Sequence, residues 1–186
     1  MSITVFVWDP GTDAYGHASL SIDGGAYVSW WPSDQKKGEG KLLGPMLGSR
    51  AYSSTMKQDK LAEKRIPSWA SAPIRCLDEA AITRWWRQQS GRLGLPSDRT
   101  RPLLTQGHYS VLRASCAGKV FEAMEVGGLH RSPAGAATAA EIRKGSIITP
   151  NDIKDLAMAL SGEQGFWDVV KFQVPTDVRN AWIYLF

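Results

Sequence analysis

Cysteine and histidine are scarce in this chain of 186 residues, which has two cysteines, Cys76 and Cys116, and three histidines, His17, His108 and His130. Two cysteines are too few for a disulfide scaffold. A single Cys–His pair without further clustered ligands is poor spacing for zinc, so no metal and no other cofactor is expected. No stretch approaches the roughly 18–20 apolar residues that a membrane span requires. The N-terminal MSITVFVWDPG lacks a charged leader, a long apolar run and a small-residue cleavage site. The expectation is a protein made in the cytoplasm without a signal peptide, which a specialised secretion system would have to carry if it acts elsewhere. There is no internal repeat and no low-complexity tract.

What is present fits one domain over residues 1–186, since domains commonly run about 100–200 residues. Hydrophobic residues make up 43% of the chain, enough for a sizeable core. Eight tryptophans are many, and Trp30-Trp31 and Trp85-Trp86 are adjacent pairs, which points to aromatic walls around a core or a cleft. The net charge is +4 and the pI about 9.1. A nucleic-acid binder concentrates lysine and arginine in a stripe. Here Lys36-Lys37, Lys57, Lys60, Lys64 and Arg65 are interspersed with Glu39, Asp59 and Glu63, the pattern of a solvated surface with weak attraction to an acidic partner. Nucleic acid is therefore not an expected partner.

Residues 3–8 read as a strand, closed by Asp9-Pro10-Gly11, and the alternating 17–22 pairs with 26–31 in a hairpin around Asp23-Gly24-Gly25. Residues 32–64 are polar, glycine-containing and weakly periodic, and read as a long surface loop that governs access to a cleft. Pro73 to Leu77 reads as a short strand. Asp78 caps a helix that Gly91 stops, with Ile82, Trp85 and Trp86 on one face. Gly94 to Gly107 and Ser132 to Ala140 read as loops. Thr149-Pro150-Asn151-Asp152 is a strong helix start, and residues 166–174 and 181–186 look like closing strands.

Two segments carry chemistry. In Ser115-Cys116-Ala117-Gly118-Lys119-Val120-Phe121 the apolar positions Cys116, Val120 and Met124 repeat at helical spacing, with Ser115 as the cap. A cysteine in a first helical turn meets unpaired N–H groups and the positive end of the dipole, which stabilise a thiolate and can hold an oxyanion. The nucleophile needs a base, and Gly16-His17 at the start of a strand supplies one. His108, eight residues before Cys116, competes for that role, while His130 has no companion residues. Ser29, twelve residues after His17 on the return strand, is the chosen orienter of the imidazole, with Asp23 and Ser19 weighed beside it. The alternative for Cys116 is a small buried hydrophobe on an apolar face.

Gly16-His17, Ser29 and Tyr109-Ser110-Val111-Leu112-Arg113-Ala114-Ser115-Cys116 together resemble the circularly permuted branch of the NlpC/P60, papain-like cysteine hydrolases, which includes lecithin–retinol acyltransferase-like proteins. In that branch a Gly-His pair on the first strand carries the base, a polar residue on the next strand orients it, and a Y-x(5)-N-C-type segment opens the nucleophile helix. This chain has Ser115 where asparagine is frequent and Ser29 where histidine is commoner. The resemblance covers 14–31 and 109–128, about a fifth of the chain. It implies an α+β fold, a small antiparallel sheet packed on the nucleophile helix, with His17 as base and Cys116 as nucleophile.

The segment from Gly16 to Pro32 also looks like toxin effectors exported by type VI secretion. That resemblance implies a peptide or protein substrate, peptidoglycan peptides or a target-cell protein, together with a cognate immunity protein and secretion machinery as partners. The expected activity is amide-bond cleavage by a thiol hydrolase. Acyl transfer or protein deamidation at the same site, and a non-catalytic binding module, are the alternatives.

Overall fold

The computed structural model describes residues 2–11, 16–32, 49–90, 103–110 and 115–162. The first strands follow the alternation. β1 (Ile3–Trp8) buries Ile3, Val5 and Val7 and runs antiparallel to β2 (His17–Ile22), in a register that sets Trp8 opposite His17 and Ile3 opposite Ile22. Gly16 precedes β2 at φ +80, and a Cβ there would lie 2.8 Å from the Trp8 carbonyl oxygen. Only glycine fits that entry, so the glycine before His17 is a backbone requirement.

The return strand is not continuous, which corrects the expectation of one strand over 26–31. β3 (Tyr27–Val28) pairs with β2, whereas β4 (Trp30–Pro32) pairs with β5 (Ser49–Ser53) in a second sheet. The chain changes sheets at Ser29. The four-stranded sheet has the order β3-β2-β1-β6, with β6 at Trp69–Ala70, and the three-stranded sheet the order β4-β5-β7, with β7 at Leu103–Tyr109. Every pairing of strands is antiparallel. Between Pro73 and Leu77 the described pairing is one bridge, Ile74 to Ile3.

The segment 32–64 is not a loop throughout. It holds β5 and the helix α1 (Met56–Glu63), which starts with a capping box: Thr55 accepts from the Gln58 N–H while the Gln58 side chain accepts from the Thr55 N–H. Residues 33–48 lie outside those described. Its charges do not form one solvated surface either, because Asp59 and Glu63 are buried while Lys57, Lys60 and Lys64 are exposed. Arg65 donates to Glu63 and to the Asp9 carbonyl, and its own carbonyl accepts from Trp8 Nε1 at 3.1 Å, so the end of α1 is tied to the end of β1. The loops expected at 94–107 and 132–140 are also corrected in part. Residues 103–107 belong to β7, whose pairing with β5 overrides the local glycine, and residues 94–102 are outside those described.

α2 (Glu79–Ser90), α3 (Cys116–Val126), α4 (Pro133–Ile142) and α5 (Pro150–Ser161) complete the described α-helices, with a 3-10 turn at Leu129–Arg131. α4 falls where small residues suggested a loop. Alanine is the best helix former, Ser132 caps the Gly135 N–H and Pro133 takes the first position. α5 begins with the expected box of Thr149 and Asp152. α3 packs on β2, flanked by α2 and α5. Its buried residues include Cys116, Ala117, Val120, Phe121 and Met124, so the predicted i, i+4, i+8 row is the core face. The architecture is mixed α+β with small antiparallel sheets. The strands expected at 166–174 and 181–186 lie outside the described residues.

α1 ends on Lys64 at φ 55, a left-handed position where glycine is usual. Lys64→Gly is expected to raise stability by about 0.5–1 kcal/mol, seen as a higher midpoint in urea with an unchanged slope.

Candidate active site

β2, the Ser29 crossing, α1 and the start of α3 converge on one buried cluster. His17 is 1% exposed and Asp59 is 0% exposed. An isolated carboxylate in such a place would be prohibitively costly, so its partners decide whether it can remain charged. Among the described residues Oδ1 accepts from Ser29 Oγ at 3.0 Å and Trp31 Nε1 at 2.8 Å, and Oδ2 accepts from Tyr27 Oη at 2.6 Å and His17 Nε2 at 3.2 Å, with Ser54 a further donor. Ser29 Oγ also lies 3.0 Å from His17 Nε2. Burial pushes the Asp59 carboxyl upward, but His17 and the hydroxyl donors Ser54 and Tyr27 outweigh it and hold the carboxyl below its usual range.

The imidazole is fixed on its faces as well as its edge. Trp31 stacks on it with centroids 4.3 Å apart and planes at 23°, and Trp8 lies tilted at 5.4 Å. Trp31 thus holds the imidazole twice, by stacking and by its hydrogen bond to Asp59. The negative field of Asp59 is felt more widely. Tyr52 is pushed up to about 12 by burial and then by the Asp59 charge, and Tyr27 is raised by the same two causes in the same order.

Cys116 is 7% exposed and stands at the first position of α3. Ser115 Oγ accepts from the Gly118 N–H at 3.0 Å, and the Ser115 carbonyl accepts from the Lys119 N–H at 2.9 Å. The Cys116 N–H meets the Tyr109 phenol oxygen, and the Ala117 N–H meets the Cys116 sulfur. Burial alone would raise the thiol, but the charge and hydrogen bond of His17, followed by the backbone N–H groups of Ala18 and Ala117, bring it below its usual value. His17 answers in kind. Burial disfavours its charged form, yet Asp59 and then Cys116 push it up to about 10. With Nε2 taken by Asp59 and Ser29, Nδ1 is the ring nitrogen left to face the sulfur.

Tyr109, at the end of β7, also meets Cys116. Burial and then the Cys116 charge hold its phenol well above the ordinary tyrosine range, with hydrogen bonds to the Cys116 side chain and backbone. It therefore stays a neutral O–H donor at the Cys116 sulfur. Together with the Ala18 and Ala117 N–H groups it forms a set of donors suited to a developing oxyanion.

The structure thus brings His17, Ser29 and Cys116 together, and it adds Asp59 and Tyr109. Ser29 does not stand alone as orienter; it bridges His17 to the carboxylate. Asp59 was grouped by sequence with exposed charges. The signal that could have found it is Thr55-x-x-Gln58, the capping box that starts its helix. Ser19 Oγ is 2.8 Å from Tyr27 Oη, a neighbour of the cluster, and Asp23 bonds Ser2 at the surface. His108 belongs to β7, opposite Arg50, and its side chain lies outside those described; His130 is exposed beside Arg143 and Glu125. Among the described residues no three of histidine, cysteine, aspartate and glutamate are grouped to hold a metal ion, and no helix is long and apolar enough to cross a membrane. No protein-family model, no curated protein and no solved structure matches the chain.

The coupled charges set a pH profile. A depressed thiol supplies thiolate from below its ordinary value of 9.0 upward, and the raised imidazole supplies imidazolium until the pH climbs through about 10. The stability that His17 contributes is complete below 6.5 and lost as the pH rises through about 10. That of Cys116 and Asp59 runs oppositely and is lost as the pH falls through their depressed values. Asp59→Asn removes the principal group that raises His17. Its alkylation by iodoacetamide at pH 6 is expected to slow about tenfold or more, with the thiolate limb moving toward higher pH. A substitution that merely loosened packing would leave the position of that limb unchanged.

Proposed function

We propose that this chain is a cysteine hydrolase that cleaves an amide bond. The observation that carries the reading is the buried line from Asp59 through His17 to Cys116, whose charges each hold the next in its reactive form. The Cys116 sulfur attacks the substrate carbonyl carbon, and the carbonyl oxygen takes the electron pair beside the Ala117 and Ala18 N–H groups and the Tyr109 hydroxyl. His17 gives its proton to the leaving amine as the C–N bond breaks. A water then loses a proton to His17 and attacks the thioester, and Cys116 departs as thiolate. Asp59 keeps its charge throughout and holds the ring in place.

A permuted papain-like arrangement, as in the NlpC/P60 resemblance, is the fold reading we attach to this site. The His17-then-Cys116 order, the Gly16-His17 entry and Tyr109 ahead of the helix support it. A peptidoglycan peptide or a target-cell protein is the proposed substrate, and an exported antibacterial effector restrained by a cognate immunity protein is the proposed setting. The basic charge and the toxin-like Gly16–Pro32 segment support that setting. Acyl transfer or deamidation would use the same acyl-enzyme and differ only in the group that resolves or releases it.

Incubation with purified sacculi and, separately, with a bacterial lysate, followed by mass spectrometry, tests the reading. New amine and carboxyl termini are expected with the native chain. Cys116→Ala and His17→Ala should each lose at least about 10³-fold in rate while keeping the native circular dichroism, because nucleophile and base act as a unit. Cys76→Ser, which alters an exposed thiol near the Leu160 carbonyl, should retain the native rate. Undiminished turnover by folded Cys116→Ala would contradict the proposal.

A further inference from the structure

We propose that the outward face of α1 docks an acidic protein whose contact surface has an apolar centre. At about 100° per residue, Lys57, Lys60, Leu61 and Lys64 fall in one stripe of the helix, and all four are exposed. Leu61 at 70% and Ile66 at 71% are the most exposed of the large hydrophobic residues described. Single exposed leucines are ordinary; Leu61 flanked by three lysines on a helix with no exposed acid, with Ile66 exposed two residues past the C-cap, is not. The acids of α1, Asp59 and Glu63, are both turned inward.

Lysines at i, i+3 and i, i+4 repel one another, and none of the three has an ion pair among the described residues. An apolar centre with a charged rim is the anatomy of a protein interface, and the sign of the rim selects an acidic partner. A second copy of this chain would bring the same basic face and a net charge of +4. An eight-residue helix is short for a membrane-lying amphipath, and phosphates would not call for the two apolar side chains.

The placement has a consequence for the site. Asp59 lies on the inner side of α1, so a partner gripping the outer side bears on the carboxylate that holds His17 without entering the cleft. This consequence rests on the thiol chemistry proposed above; the docking itself does not.

The test uses the full chain and a labelled synthetic helical peptide with glutamates at i, i+3 and i+4 around a central leucine. A scrambled peptide of the same composition and phosphatidylglycerol vesicles serve as competing probes, all read by fluorescence anisotropy or co-sedimentation. Micromolar binding of the helical peptide is expected. It should weaken tenfold or more in Lys57→Glu/Lys60→Glu and in Leu61→Ser/Ile66→Ser, and stay within twofold in Lys144→Glu, an exposed lysine elsewhere. Each variant alone should alkylate at Cys116 at the native rate, which separates loss of docking from loss of fold. No binding, equal binding of the scrambled peptide, binding to vesicles alone, or undiminished binding by the α1 variants would each overturn the proposal. Slow alkylation of the native chain would instead sink the thiol reading and leave the docking result standing.

Discussion

A carboxylate with no exposure to water is the constraint around which this molecule is arranged. Asp59 cannot stay charged without donors, and the donors come from one distant stretch divided between the two sheets: His17 from β2, Tyr27 from β3, Ser29 from the crossing between sheets and Trp31 from β4. Satisfying one side chain therefore fixes how the two sheets meet and how α1 lies against them. In a medium of low dielectric each of these bonds is stronger than in water, and the loss of any one leaves a costly orphan. A deletion through α1 would remove a core element of the site, not a dispensable cover.

The same carboxylate sets the charge state of its neighbours. Burial works against every charge in the line, raising Asp59 and Cys116 and lowering His17. The charges persist because each is next to its opposite. Asp59 makes the imidazolium acceptable, and the imidazolium makes the thiolate acceptable. The helix start contributes backbone N–H groups that need partners in any case, so stabilising sulfur or an oxyanion there requires no new polar group. Tyr109, held neutral by burial and by the thiolate, adds a hydroxyl donor at the same atom.

Much of this was legible from local patterns. A short apolar run marks β1 and alternation marks β2, the Thr149 box marks α5, and the row Cys116, Val120, Met124 marks the buried face of α3. Gly16-His17 and Ser115-Cys116 could be paired because each follows a backbone device, a left-handed glycine and a helix cap. Asp59 was hidden because nothing in a run of lysines and acids says which charges turn inward; that is decided by donors on β2 to β4. The capping box at Thr55 was the available clue to its helix. The break at Ser29 was hidden for a related reason, since a two-residue strand followed by a three-residue strand looks like one strand until their different partners are known. α4 was hidden by composition, because alanine and glycine with few large side chains show no apolar period.

The central claim is that Cys116 and His17 rest as a thiolate–imidazolium pair. Thiolate absorbance in the ultraviolet, followed against pH in the native chain, in His17→Ala and in Cys116→Ala as the blank, tests it most directly. The account predicts a thiolate band already present at neutral pH in the native protein and displaced toward the ordinary thiol range, about 9, in His17→Ala. A native band that emerges only near that ordinary range, and does not move when His17 is removed, would contradict it.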